Sequence, residues 1–180
     1  MLISSPAKAW EVIRKEKEQR AVFASFVYPM IGLCALAVFL GSLFAHGWGG
    51  PESFRIAMTQ CCAVAVSLFG GYFMAAFLIN RLSVQLFGIP DNMLTIQEFT
   101  GYALVVTFFI QIILGLFPDI WIFGWILQFY MVYIIWEGVP VMLPVKAKDR
   151  LRFTIFSFLL LVICPALIQF IFNRLTQLLN

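Results

Sequence analysis

The sequence has few charged residues and only one histidine. Aspartate, glutamate, lysine and arginine make up 12% of the 180 residues, and His46 stands alone. Covalent catalysis usually needs a base such as histidine beside the nucleophile, and metal sites need several clustered ligands. The motifs H-E-x-x-H, G-x-S-x-G and G-x-x-x-x-G-K-[ST] are absent. We therefore predict a protein that is not an enzyme, with no catalytic residue, no metal site and no cofactor.

Cysteine and basic residues give no functional signal either. The cysteines lie in apolar stretches without a C-x-x-C pair, which favours a packing role; they are Cys34, Cys61, Cys62 and Cys164. The basic residues follow the apolar stretches and form no patch with interleaved aromatics, so we expect no nucleic-acid partner.

Apolar residues dominate instead, at 62% of the chain. A helix needs about 20 apolar residues to cross about 30 Å of hydrocarbon. Five stretches satisfy this length, and the predicted spans are 21–45, 56–80, 96–117, 120–143 and 153–173. We expect an all-α integral membrane protein in which residues 21–180 form a bundle of five transmembrane helices. Its first partner is therefore the lipid bilayer.

The third and fourth spans are separated only by Pro118 and Asp119. One helix through both would be about 67 Å long, more than twice the thickness of the hydrocarbon, so we predict a tight hairpin at this point. The residues from Thr95 to Glu98 have the spacing of a capping box, which predicts that the third span begins near Ile96.

Residues 1–20 are predicted to form a short amphipathic cytosolic segment. Ser5 is a candidate N-cap before Pro6, and Trp10 and Ile13 fall on one face among charged residues. We expect this helix to lie among the lipid headgroups with its tryptophan anchored there; the alternative is a site for a partner protein. The long charged start predicts that the segment is not a cleaved signal peptide.

The basic residues predict an orientation. With five spans, ten of the twelve fall on the side of the N terminus: Lys8, Arg14, Lys15, Lys17, Arg20, Arg81, Lys146, Lys148, Arg150 and Arg152. Arg55 and Arg174 fall on the other side. Because basic residues are retained on the cytosolic side, we expect a cytosolic N terminus and an extracytosolic C terminus, in a bacterial cytoplasmic (inner) membrane.

Small residues and amides within the spans predict helix contacts. Small residues recur every four positions at Ala63, Ser67, Gly71 and Ala75, and again at Ala37, Gly41 and Ala45, which predicts close packing of the first two spans. Gln111 and Gln128 lie about 10 and 13 Å from their hairpin and are expected to meet at similar depth. Their amides favour a helix-to-helix contact, with a solute site as the alternative.

Glu137 is the acid that falls within an apolar span, and Pro140 follows it closely. Proline removes a backbone donor and disfavours helix at the preceding residue, so we expect the regular helix to end near Glu137. The acid would then pair at the cytosolic interface with Arg81 or with the basic loop 146–152. The alternative is a buried site formed if residues 138–143 fold back into the bundle.

Three stretches together resemble one family: "SSPAKAWEVI", "QEFTGYALVVTFFIQIILGLFP" and "YMVYIIWEGVPVMLPVKAKDRLRFT". The most specific parts are Tyr102 followed by Pro118, and the Gly138-x-Pro140-x-Met142 turn. The sequence is similar to small bacterial members of the Yip (Ypt/Rab-interacting protein) family. This resemblance implies five spans and a cytosolic N terminus. Eukaryotic members bind Rab-type GTPases and one another through N-terminal regions longer than the 20 residues found here.

Two functional hypotheses follow from these patterns. The first is a non-enzymatic membrane protein that acts in protein interaction or membrane organisation, as a homo-oligomer or with another membrane protein. The second is a channel or transporter for a small solute or an ion. The candidate polar or interfacial residues are Glu137, Arg81, Gln111, Gln128 and Tyr102.

Overall fold

The computed structural model describes residues 5–15, 23–47 and 50–179. Within these ranges, five helical segments are long and apolar enough to cross a membrane. They are Ala24–His46, Pro51–Phe87, Met93–Leu116, Gly124–Met142 and Ala147–Leu178. The predicted all-α membrane bundle is confirmed. Parts of the predicted N-terminal segment, including Lys17 and Arg20, lie outside the described residues.

The helices are numbered along the chain. They are α1 (Pro6–Lys15), α2 (Tyr28–His46), α3 (Pro51–Phe87), α4 (Met93–Ala103), α5 (Val105–Leu116), α6 (Trp121–Met142) and α7 (Arg150–Leu179). A π-helical turn, Phe23–Val27, leads into α2, and the 3₁₀ turn Pro118–Ile120 separates α5 from α6 where the hairpin is expected. Ser5 precedes α1, and its carbonyl accepts from the Ala9 amide at 3.1 Å, as at an N-cap position.

The start of α4 differs from the predicted capping box. Asn92 is the N-cap, and its side chain accepts a hydrogen bond from the Thr95 amide at 3.1 Å. The capping-box prediction is therefore wrong, because Thr95 lies inside the first turn and supplies the donor. An asparagine oxygen satisfies one of the free amides at a helix start as well as a hydroxyl does.

Helix α3 is much longer than the span predicted for it. Its 37 residues extend over about 55 Å, so it projects beyond about 30 Å of hydrocarbon. Gly88 ends it in the left-handed region, at φ 62°, where glycine is favoured. The following connection is tied back to the helix, because the Asn80 side chain donates to Asp91 at 2.8 Å.

Helix α3 packs against α2, α4 and α7, while α6 packs against α1, α4, α5 and α7. The α1, α4 and α7 helices meet at one end, where the Phe99 ring lies 5.6 Å from that of Trp10 and 6.3 Å from that of Phe153. We call this end, formed by α1 and by the connections 88–92 and 143–149, the basic end. The end of α2, the start of α3 and the connection 117–120 lie at the opposite end.

The small residues of α3 are buried, but they face a helix that the sequence did not indicate. A Cβ atom on Gly71 would lie 2.7 Å from the Cα of Pro165 in α7. Gly41 of α2 faces α5, because a Cβ atom there would collide with the carbonyl oxygen of Gly115. Helices α2 and α3 pack together, so the predicted close packing of the first two spans is confirmed, although Gly71 and Gly41 themselves face α7 and α5. Small residues show that helices approach closely, not which helices do so.

Candidate functional site

The basic end contains a tightly packed contact between α1 and α6. Trp10 is fully buried, and its Nε1 donates a hydrogen bond to the carbonyl oxygen of Ile134 at 3.0 Å. The indole stacks on Phe99, and Tyr102 meets it edge-on with ring centroids 6.3 Å apart. Trp10, Phe99, Tyr102, Ile134 and Gly138 are called the Trp10 junction below.

The expectation that Trp10 lies among lipid headgroups is wrong, and Gly138 supplies the physical reason. A Cβ atom at position 138 would lie 2.6 Å from Cε2 of the indole, so only glycine lets the ring approach α6 this closely. The Tyr102 ring also contacts Phe26, with centroids 5.2 Å apart. The junction thus joins α1 to α4, α6 and the start of the first span.

Arg150 stabilises the end of α6 where Pro140 interrupts its hydrogen bonds. Pro140 has no amide hydrogen for the carbonyl of Trp136, four residues earlier. Arg150 replaces this donor, because its Nε and Nη2 donate to the Trp136 oxygen at 3.1 and 2.6 Å. Its guanidinium carbon also lies 4.1 Å from the centroid of the Trp136 ring. The helix therefore continues to Met142, and the prediction that it ends near Glu137 is wrong.

Glu137 lies beside this contact. Its Oε1 is 3.9 Å from Nη2 of Arg150, and both side chains are about one quarter exposed. This distance is longer than either hydrogen bond to Trp136, so Arg150 contacts the backbone more closely than the acid. Of the partners considered for Glu137, Arg150 of the basic loop is the one in contact. Arg81 is exposed and lies over the Phe77 ring of its own helix, 5.4 Å from the centroid.

A second polar region lies inside the spans. Gln111 of α5 and Gln128 of α6 line one cavity of about 220 Å³, together with Gln169 of α7. Gln128 donates to the hydroxyl of Thr107 at 3.3 Å. Ser67, from the small stripe of α3, also lines the cavity. We call this cavity, with Gln111, Gln128, Gln169, Thr107 and Ser67, the glutamine pocket.

The structure thus separates the candidate residues into two groups. Gln111 and Gln128 share the glutamine pocket, whereas Glu137 and Tyr102 lie at the basic end. Along α6, Glu137 and Gln128 are nine residues apart, or about 13 Å. A single site that combines the acid with the two glutamines is therefore not formed.

Sequence reasoning missed Gln169 and the buried position of Trp10. A signal existed for Gln169, since an uncharged polar residue in an apolar span marks an inward-facing position. For Trp10 the hydrogen-bond acceptor, Ile134, lies 124 residues away, and no local pattern indicates this contact.

A known family accounts for most of the chain. Residues 1–168 match the Yip1 domain, which is more than nine tenths of the chain. The chain belongs to the Yip1 domain family. Comparison with curated proteins and with solved structures gave no significant match. In this Yip1 domain protein the matched region includes the whole Trp10 junction, whereas Gln169 lies one residue beyond it. Over the described ranges, no group of three His, Cys, Asp or Glu residues is placed to bind a metal.

Proposed function

We propose that this Yip1 domain protein is a non-enzymatic membrane protein that acts in protein interaction or membrane organisation through its basic end. The docking of α1 is the observation that carries this proposal. Because Trp10 and Ala9 are buried against the bundle, the opposite face of α1 is held outward in a fixed orientation. That face exposes Lys8, Glu11 and Arg14.

The charge around α1 supports binding at this end. Exposed cations there are Lys8, Arg14, Lys15, Arg81, Lys146, Lys148 and Arg152. A fixed array of like charges favours association with an acidic surface and speeds encounter with it. Among the described residues, fewer basic side chains are exposed at the opposite end. One of them, Arg55, is paired with Glu52 at 2.6 Å.

The same asymmetry supports an orientation with the basic end in the cytosol. Basic residues flanking spans are retained on the cytosolic side. In this orientation α1 and the 143–149 connection are presented together to cytosolic or peripheral partners, in a bacterial cytoplasmic membrane.

Site-specific cross-linking in the native membrane tests this function. A photoreactive amino acid replaces Lys8, on the exposed face of α1, or Asp119 at the opposite end. We expect a discrete adduct with a second copy or another membrane protein from position 8 and none from position 119. Trp10→Ala should abolish the adduct at equal protein abundance, because α1 loses its fixed position. A solely monomeric product at position 8, or an adduct that survives Trp10→Ala, contradicts the proposal.

A small-solute or ion pathway is the competing function, and the glutamine pocket is the observation that favours it. A pathway needs polar groups along the membrane interior, and the pocket supplies amides from three spans. Flux into proteoliposomes distinguishes the two functions. If the parent protein shows flux and Gln111→Leu or Glu137→Gln abolishes it, transport is established. If none of the proteins shows flux, the transport function is excluded.

A further inference from the structure

The glutamine pocket contains amides without protein partners. Among the described residues, neither Gln111 nor Gln169 makes a side-chain hydrogen bond, although both are half-buried. Gln111 lies about 7 Å before the end of α5, within a span. An unsatisfied amide in hydrocarbon costs several kcal/mol. Both amides line the cavity, so their hydrogen bonds would stabilise a polar occupant there.

The size of the cavity and the character of its walls limit what this occupant is. Its volume of about 220 Å³ is enough for several water molecules or for one small polar group. No charged residue lines it, so neither a phosphate nor an ammonium group would find a counter-charge there. The amides and the Thr107 hydroxyl both donate and accept, so they match an uncharged hydroxyl group, which does both, and ester oxygens, which accept.

The pocket opens on the outer surface of the bundle between α6 and α7. Trp125, which is 65% exposed, and the exposed Ala166 lie at its edge. Leu114, Leu161 and Val162 supply apolar wall beside the amides. An occupant can thus place a polar group inside while an apolar chain remains along the lipid-facing surface.

We propose that the glutamine pocket binds the uncharged glyceryl headgroup of a neutral membrane lipid of the diacylglycerol type. Gln111 and Gln169 hydrogen-bond its free hydroxyl and ester oxygens, and its acyl chains leave between α6 and α7. This site is separate from the Trp10 junction, so it stands or fails independently of the proposed interaction function.

Photolabelling of the full-length protein in lipid nanodiscs tests the proposal. The probe is a diacylglycerol with a diazirine on the acyl chain near the ester, and labelled peptides are identified by mass spectrometry. We expect labels in α5, α6 and α7 around the pocket. Unlabelled diacylglycerol should compete, whereas free glycerol and an anionic phospholipid should not.

The variants show whether the amides bind the probe. Gln111→Leu combined with Gln169→Leu should weaken labelling about tenfold, since two amide hydrogen bonds are lost. Gln169→Asn, which keeps an amide, should retain more labelling than Gln169→Leu. Gln177→Leu, on an exposed position of α7, is the matched control and should label like the parent.

Several results would overturn the proposal. Labelling that is unchanged in the double variant shows that the amides do not bind the lipid. Equal competition by free glycerol assigns the pocket to a soluble solute, and equal competition by the anionic phospholipid shows non-selective contact with the bilayer. Absence of any label at the pocket leaves water as its occupant.

Discussion

The Trp10 junction and the glutamine pocket both place polar groups among apolar side chains, but they differ in whether those groups have hydrogen-bond partners within the protein. At the basic end, Trp10 and the freed carbonyl of Trp136 each have a partner at 3.1 Å or less. In the pocket, Gln111 and Gln169 have no partner among the described residues. A polar group with a partner stabilises one arrangement of the helices, whereas an unpaired amide that lines an open cavity is available to an occupant. The Trp10 contact is therefore suited to holding α1 in place, and the pocket is suited to binding.

The largest expected effect on stability comes from removing the indole of Trp10 from the junction. Trp10→Ala removes a fully buried ring and its hydrogen bond, and should lower the free energy of unfolding by about 3–5 kcal/mol. Equilibrium unfolding in mixed micelles measures this change. Val12→Ala, on the exposed side of α1, is the control and should change stability by less than about 0.5 kcal/mol. Equal effects of the two variants would mean that α1 is not docked.

The next effect concerns the hydrogen bonds that Arg150 donates to the Trp136 carbonyl, which Pro140 leaves without an amide donor. Arg150→Met should destabilise the protein by about 1.5–3 kcal/mol, because the Trp136 carbonyl loses charged donors. In a Pro140→Ala background the cost should be smaller, since the substituted alanine supplies the missing amide hydrogen. A double-mutant cycle measures this coupling, and Arg152→Met is the exposed control. Full additivity would show that Arg150 does not act through this carbonyl.

A third prediction tests the wall behind the glutamine pocket. Gly71→Ala should cost about 1–3 kcal/mol, because its Cβ would meet the backbone of Pro165 and separate α3 from α7. Gly70→Ala is a matched control, since its Cβ would meet the flexible side chain of Ile168, with Cδ1 at 2.8 Å, and no backbone atom of α7. We expect the control to cost less than half as much. Thermal stability of the purified variants distinguishes them, and equal losses would contradict the assigned contact.

The smallest effects distinguish the glutamines from one another. Without added lipid, Gln128→Leu should destabilise by about 0.6 kcal/mol, because it loses its bond to Thr107. Gln111→Leu should be neutral or stabilising, since it removes an amide with no partner in the described structure. Unfolding in detergent measures both. A larger loss for Gln111→Leu would show that this side chain is satisfied within the protein.

Local patterns were sufficient for the spans but not for the helix ends. Pro140 has no amide hydrogen, and this predicted that α6 ends near Glu137. The helix continues because Arg150 donates to the Trp136 carbonyl in place of that amide. At the start of α4, both Asn92 and Thr95 carry side-chain oxygens suited to capping. Which one caps depends on where the chain enters the helix.

For the candidate sites, the sequence indicated which polar residues lie within the spans, but not which residues lie beside them in the structure. Gln111 and Gln128 were expected at similar depth from their distances to the hairpin, and one cavity contains both. That Gln169 completes the cavity depends on the packing of α7 against α3 through Pro165 and Gly71. The spacing of nine residues between Gln128 and Glu137 already separates the acid from the glutamines by about 13 Å along α6.

The amino-acid sequence by itself determined the all-α membrane class, the turn at Pro118 and the uneven distribution of basic residues. Each depends on hydropathy, length or charge within a short stretch, and the bilayer acts on such stretches one by one. The tertiary structure alone decided that Trp10 is buried at Gly138, that Arg150 binds the Trp136 carbonyl and that three glutamines share one pocket. These contacts join residues remote in the chain, so they exist only once the helices have packed.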